Sequence, residues 1–126
     1  MTARYAFYPG CTLHSTGVEF GASTELVCHA LDMEMVEIPD WNCCGASSAH
    51  SMDHTLFLAL PARNVALAQQ TGLDNLAIPC AACFSRLAAA DLALRQNAAF
   101  RAQMEETLDF HFQARVRPRN LLDIFA

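Results

Sequence analysis

The sequence predicts an α/β domain: a small, open, mainly parallel sheet flanked by helices. Three observations carry this prediction. Short apolar runs alternate with stretches of helical periodicity, in the order strand, helix, strand, helix, strand, helix. Three of those runs stop at a proline, at Pro9, Pro39 and Pro79. Just past each stop stand cysteines: Cys11 after the first, Cys43 and Cys44 after the second, Cys80 and Cys83 after the third. In a parallel sheet these points share one edge, beyond the carboxyl ends of the strands, where such folds hold ligands.

Taken in order, Tyr5-Ala6-Phe7-Tyr8 reads as a buried strand halted by Pro9-Gly10. A polar loop starts at Cys11. A helix is predicted over about residues 17–31, with Val18, Ala22, Leu26, Val27, Ala30 and Leu31 recurring at helical spacing. Glu34 to Ile38 forms the second strand, and Trp41-Asn42-Cys43-Cys44-Gly45 a tight loop. The next helical stretch spans about residues 53–70. Pro61 predicts a kink there, or two helices with Pro61 near the start of the second. Gly72 is a natural stop. Leu56, Leu60 and Leu67 make an apolar stripe read as core. Leu76 to Pro79 is the third strand, with Pro79 a rigid turn or a cis bond. The following helix, about residues 81–96, carries Phe84, Leu87, Ala88 and Leu92 on one side. A polar stretch with Met104 and Leu108 is helical, Val116 belongs to a short fourth strand, and Asn120 to Phe125 begins another helix.

The 126 residues suffice for one compact domain, and 53% of them are apolar. A net charge of −5 disfavours a grip on nucleic acid or anionic lipid. No stretch reaches the roughly 18 apolar residues of a spanning helix. The first residues lack the apolar run of a signal peptide. The expected compartment is therefore the cytoplasm, where thiols stay reduced unless they hold metal or do redox chemistry. Six cysteines in a chain of this size need such an explanation.

Five of them form the pattern C-x31-C-C-G-x34-C-x2-C. A structural zinc takes four ligands, usually as two knuckles, and only one knuckle is present. Adjacent cysteines are poorly placed to chelate one tetrahedral ion, but they can bind two metal atoms of a larger cluster. Soft thiolates without a histidine set point to iron and sulfide. Five thiolates exceed the four of an ordinary cubane, and a thiolate bridging two irons absorbs the surplus.

The elements Tyr8-Pro9-Gly10-Cys11, Cys43-Cys44-Gly45-Ala46, Ala62-Arg63-Asn64 and Pro79-Cys80-x-x-Cys83 resemble the cysteine-rich CCG domain. The resemblance is to the family of the heterodisulfide reductase B subunit, over about residues 5–96. The resemblance implies an α/β fold and a non-cubane [4Fe-4S] cluster held by Cys11, Cys43, Cys44, Cys80 and Cys83. It implies reductive cleavage of a disulfide, with electrons arriving from a partner iron–sulfur subunit. That family usually carries two CCG domains, and residues 1–126 supply one. Residues 115–122 resemble the segment leading into the second copy, so the chain reads as the N-terminal half of a two-domain subunit or as a single-domain subunit. A disulfide takes two electrons, so this chain by itself is expected to pass electrons without turning over a disulfide.

Two other readings stay open. Cys80-x-x-Cys83, after a strand and before a helix, also fits a metal-free thiol–disulfide oxidoreductase. Three or four of the cysteines can hold zinc in an interaction module, or zinc can enter a vacant cluster site in air. Cys28, within the first helix, reads as a small buried hydrophobe. His14, His50 and His54 follow the cysteine loops and read as solvated, while His29 and His111 read as surface residues of helical stretches. Trp41 either shields a cluster or plugs the sheet edge.

Overall fold

A computed structural model describes residues 3–10, 26–43 and 54–125. Cys11, His14, Cys44 and His50 lie outside the described residues, as does most of the first predicted helix. Strands β1 (Ala3–Phe7), β2 (Met33–Glu37), β3 (Asn75–Ile78) and β4 (Arg117–Asn120) form one sheet. Their order is β2-β1-β3-β4, and every neighbouring pair is parallel. The helices are α1 (His54–Gln69), α2 (Ala81–Gln96), α3 (Ala98–Leu108) and α4 (Leu121–Phe125), with a further helical stretch over residues 26–30.

Parallel strands buried on both faces read as continuous apolar runs, and β3 does so: Leu76, Ala77 and Ile78 are all fully buried. Alternate residues of β1 and β3 meet the helices. Ala6, Tyr8, Leu76 and Ile78 pack with Ile38, with Ala68 of α1, with Cys83 and Leu87 of α2, and with Val116. A second cluster lies between helices, formed by Ala62 and Val65, Ala90 and Leu94, and Phe100 and Met104. Each large apolar side chain so buried contributes on the order of 1.5–3 kcal/mol. Asn97 divides α2 from α3. Its Oδ1 accepts from the Phe100 backbone N–H at 3.0 Å, the usual N-cap bond.

The pattern of burial corrects the sequence reading in several places. Pro61 sits inside one continuous helix, not at the start of a second. Its missing N–H leaves out a single bond of the α1 ladder. The buried face of α1 is Pro61, Ala62, Asn64, Val65, Ala66 and Ala68, whereas Leu60 and Leu67 are only half-buried. The Leu56 side chain lies outside the described set. On α2, Cys83, Leu87, Ala90, Asp91 and Leu94 face inward, and Leu92 is 53% exposed. Leu26, Val27, Ala30 and Leu31 also face solvent, and Cys28 is the buried residue of that turn, as expected. Val116 is buried but precedes β4. Pro79 is trans, since no described peptide bond is cis.

β4 is an edge strand with a blunted outer side. The Arg117 N–H donates to the Asp74 carbonyl at 2.9 Å, toward β3. Alternation along the strand then turns residue 118 outward. That residue is proline, so the outer side lacks a donor there.

Ala114 adopts φ 55°, a left-handed conformation costly for a residue with a Cβ. The turn is kept because it aims the Ala114 carbonyl at Arg95 Nη1, 2.9 Å away. Ala114→Gly is expected to raise stability by about 0.5–1 kcal/mol, read as an upward shift of the thermal midpoint. An unchanged or lower midpoint contradicts this account.

Candidate functional site

The chain passes from β1 to β2 on one side, while β3 lies on the other. That reversal opens a crevice beyond the carboxyl ends of β1 and β3. Here the two ends are Tyr8-Pro9-Gly10 and Pro79-Cys80. Cys80 is the N-cap residue of α2, with φ −86° and ψ 126°. Its carbonyl accepts from the Phe84 N–H at 2.8 Å, while its side chain makes no capping bond. The sulfur is thus not spent on the helix. Cys83 lies in the first turn and is buried.

Gly10 ties the end of β1 to this helix start. It has φ +75°, and a Cβ built on it stands 3.3 Å from Cys83 Sγ and 3.6 Å from Tyr8 Cε2. Only glycine meets both demands without strain: the left-handed backbone and the close approach of main chain to sulfur. The residue immediately before Cys11 therefore lies against Cys83.

The segment entering Cys43 is held by a polar lattice on α1. Asn64 is fully buried. Its Oδ1 accepts from the Asn42 N–H at 3.0 Å, and its Nδ2 donates to the Asn42 carbonyl at 2.8 Å. One side-chain amide thus pairs with a main-chain residue as a neighbouring strand does, beyond the point where β2 has ended. The Tyr8 hydroxyl donates to the same Asn42 carbonyl at 2.8 Å. The Asn42 side chain is equally engaged: Nδ2 donates to the carbonyls of Leu60 and Cys43, and Oδ1 accepts from Arg63 Nη1 at 2.8 Å. Arg63 also donates to the Asp40 carbonyl at 2.8 Å and to Asp40 Oδ2 at 2.6 Å. Trp41 packs edge-on to Tyr8, with ring centroids 5.4 Å apart, and donates Nε1 to Glu37 Oε2 at 3.1 Å. It packs, half-buried, against the core cluster, as Cys80 does.

Of the five predicted ligands, Cys43, Cys80 and Cys83 are described, and Cys11 and Cys44 lie outside the described residues. Cys43 is exposed and Cys80 half-buried, and no disulfide links any of the described cysteines. Among the described residues, no three of Cys, His, Asp and Glu gather as a metal-binding group. His29 and His111 are exposed; His111 lies past α3 rather than within a helix, with Nδ1 3.2 Å from Glu105 Oε2. His54 opens α1.

Residues 5–88 match the model of the cysteine-rich domain named CCG. The chain belongs to the CCG cysteine-rich domain family. It is 38% identical over 98 residues to the 8-methylmenaquinol:fumarate reductase membrane anchor subunit of Wolinella succinogenes, covering 78% of this chain and 34% of that one. It is 29% identical over 101 residues to the B subunit of the ferredoxin/F(420)H(2)-dependent CoB-CoM heterodisulfide reductase of Methanosarcina acetivorans, covering 79% and 33%. The B subunit of the ferredoxin:CoB-CoM heterodisulfide reductase of Methanosarcina mazei is 26% identical over 100 residues, with 79% and 33% covered. The matched region spans about a third of the length of these relatives. Among the described residues, no helix of this CCG domain is long and apolar enough to cross a membrane.

The CCG match takes in all five cysteines of the pattern and the Asn42–Asn64 lattice. Sequence reasoning noted Ala62-Arg63-Asn64 as a motif without giving it a task. A signal was present: two adjacent polar residues inside an otherwise apolar helix, shortly after a proline.

Proposed function

We propose that this CCG domain is an iron–sulfur redox module of a multi-subunit reductase, holding a non-cubane [4Fe-4S] cluster through Cys11, Cys43, Cys44, Cys80 and Cys83. The observation that carries the reading is the approach of Gly10 to Cys83, where a Cβ built on Gly10 stands 3.3 Å from the sulfur, at the meeting of the end of β1 and the start of α2. The donor chemistry fits: the described cysteines are thiols without disulfides, and Cys80 and Cys83 stand at a helix start. When bound, the cluster supplies one-electron exchange.

The chain's own residues supply position. Tyr8 and Trp41 pack together beside the Cys43 segment, and Gly10 lets the main chain pass the Cys83 sulfur. A disulfide substrate takes two electrons, so its cleavage requires a second CCG domain or a partner iron–sulfur subunit as electron donor. The names of the Methanosarcina relatives favour that substrate class. The 38% identity to a fumarate reductase subunit favours a second reading, in which the domain relays electrons within such a complex and no substrate bond is broken here. Reduced thiols under either reading suit the cytoplasm.

Anaerobic purification followed by iron, sulfide and zinc analysis is the test. About four irons and four sulfides per chain are expected, and serine at Cys43 or Cys83 is expected to abolish stable loading. One zinc without iron supports an interaction module. Metal-free protein with a single reactive thiol at Cys80 or Cys83 supports a thiol–disulfide oxidoreductase. Either result sinks the cluster reading. If the loaded domain, supplied with electrons and a second CCG domain, cleaves no disulfide, the relay reading stands instead.

A further inference from the structure

We infer that Asn64 and Arg63 are positioning residues for Cys43, a role that deepens the cluster reading above and rests on it. Neighbouring Cα atoms across a trans peptide stand a fixed ~3.8 Å apart. The direction of the Cys43 sulfur therefore depends on the path by which the main chain leaves Asn42. That path is set at Asn42, where N–H, carbonyl, Oδ1 and Nδ2 are all engaged. Most of the partners belong to α1, the rigid element across the edge, and Tyr8 stands just past β1. No strand neighbour does this work, because β2 has stopped at Glu37.

The chemistry of position 64 is narrow. The site needs one acceptor and one donor on a short planar group, which asparagine has and aspartate lacks. Asn64→Asp keeps the shape but sets a carboxylate oxygen against the Asn42 carbonyl. Position 63 needs a planar fork, since Arg63 Nη1 meets the Asp40 carbonyl and Asn42 Oδ1 while Nη2 meets Asp40 Oδ2. A lysine can keep one of these bonds but not all three. Arg63 is 36% exposed at its side chain, so its replacement spares the core.

The experiment compares anaerobically loaded wild type with Asn64→Asp, Arg63→Met and Arg63→Lys. Folding is followed by circular dichroism, iron release to a chelator by absorbance, and the reduced or oxidised centre by electron paramagnetic resonance. Outer groups that orient ligands typically govern affinity by about 10–100-fold. Asn64→Asp is expected to release iron about tenfold faster or more and to change the resonance line shape, with native circular dichroism. Arg63→Met follows in the same direction, and Arg63→Lys restores part of the difference. A merely structural role predicts a lower melting point with an unaltered spectrum in the chain that remains folded. Wild-type release rate and line shape in folded Asn64→Asp and Arg63→Met overturn the inference.

The metal-free chain separates this inference from the cluster reading. There, Asn64→Asp and Arg63→Met are expected to speed exchange of the Asn42 amide hydrogen at least tenfold and to shift the emission of Trp41, the one tryptophan of the chain. If the wild type takes up no iron, the cluster reading fails. Unchanged exchange at Asn42 in both variants overturns the positioning role by itself.

Discussion

Arg95→Met lowers the unfolding free energy by about 3–5 kcal/mol, measured by urea titration of circular dichroism. Arg95 Nε lies 2.8 Å from Asp91 Oδ2, and the two side chains are only 18% and 9% exposed. The remaining nitrogens donate to the carbonyls of Ala114 at 2.9 Å and Val116 at 3.0 Å, and the guanidinium lies 5.7 Å from the centre of the Phe112 ring. Asp91 Oδ1 is buried and already lacks a partner among the described residues. Removing the arginine strands a buried carboxylate and the part-buried Val116 carbonyl, each with its own desolvation penalty, while the exposed Ala114 carbonyl turns to water. The origin of the loss is checked by the double variant Asp91→Leu with Arg95→Met. A matched apolar pair removes the stranded charge, so the double variant is expected to be more stable than Arg95→Met. A cost below about 1 kcal/mol for Arg95→Met shows instead that water reaches the carboxylate as it does in surface pairs.

Gly10→Ala is the second large effect, and Gly72→Ala is its control. Both glycines are left-handed, at φ +75° and +76°. A Cβ at Gly72 has nothing within 4 Å, whereas one at Gly10 stands 3.3 Å from Cys83 Sγ. Each variant loses about 1–2 kcal/mol from the backbone alone. Only Gly10→Ala displaces a sulfur, so only it is expected to change the alkylation rate of Cys83 in the metal-free chain and to speed iron loss from the loaded one. Equal behaviour of the two variants in both assays shows that the Gly10 approach to Cys83 has no chemical consequence.

The α/β class and the positions of β1, β2 and β3 were legible because prolines and cysteines punctuate the chain where those strands end, whereas β4 follows Val116 instead of containing it. Boundaries moved by one or two residues, and α2 fell on residues 81–96 as the sequence predicts. The faces of the helices were less legible. An apolar residue at helical spacing is not thereby buried: Leu92 faces water while Asp91, its neighbour, points inward. The reason is Arg95, one turn on, whose fork lets a carboxylate enter the core in exchange for holding the strap before β4. Nothing local to Asp91 announces that long-range exchange. The same holds for Asn64, whose partner Asn42 is 22 residues away. Turn chemistry was half legible. Asp32, Asp40 and Asp109 take left-handed conformations that Asp tolerates, whereas Ala114 gives no hint of the φ it adopts.

Pro118 decides how this sheet can grow. A chain that lengthens a sheet must exchange main-chain hydrogen bonds with an exposed rim, and the β4 rim offers a ring carbon where a donor is required. A strand is thereby steered away from continuing the pleat at β4, and a body docked on that side meets the unit through side chains.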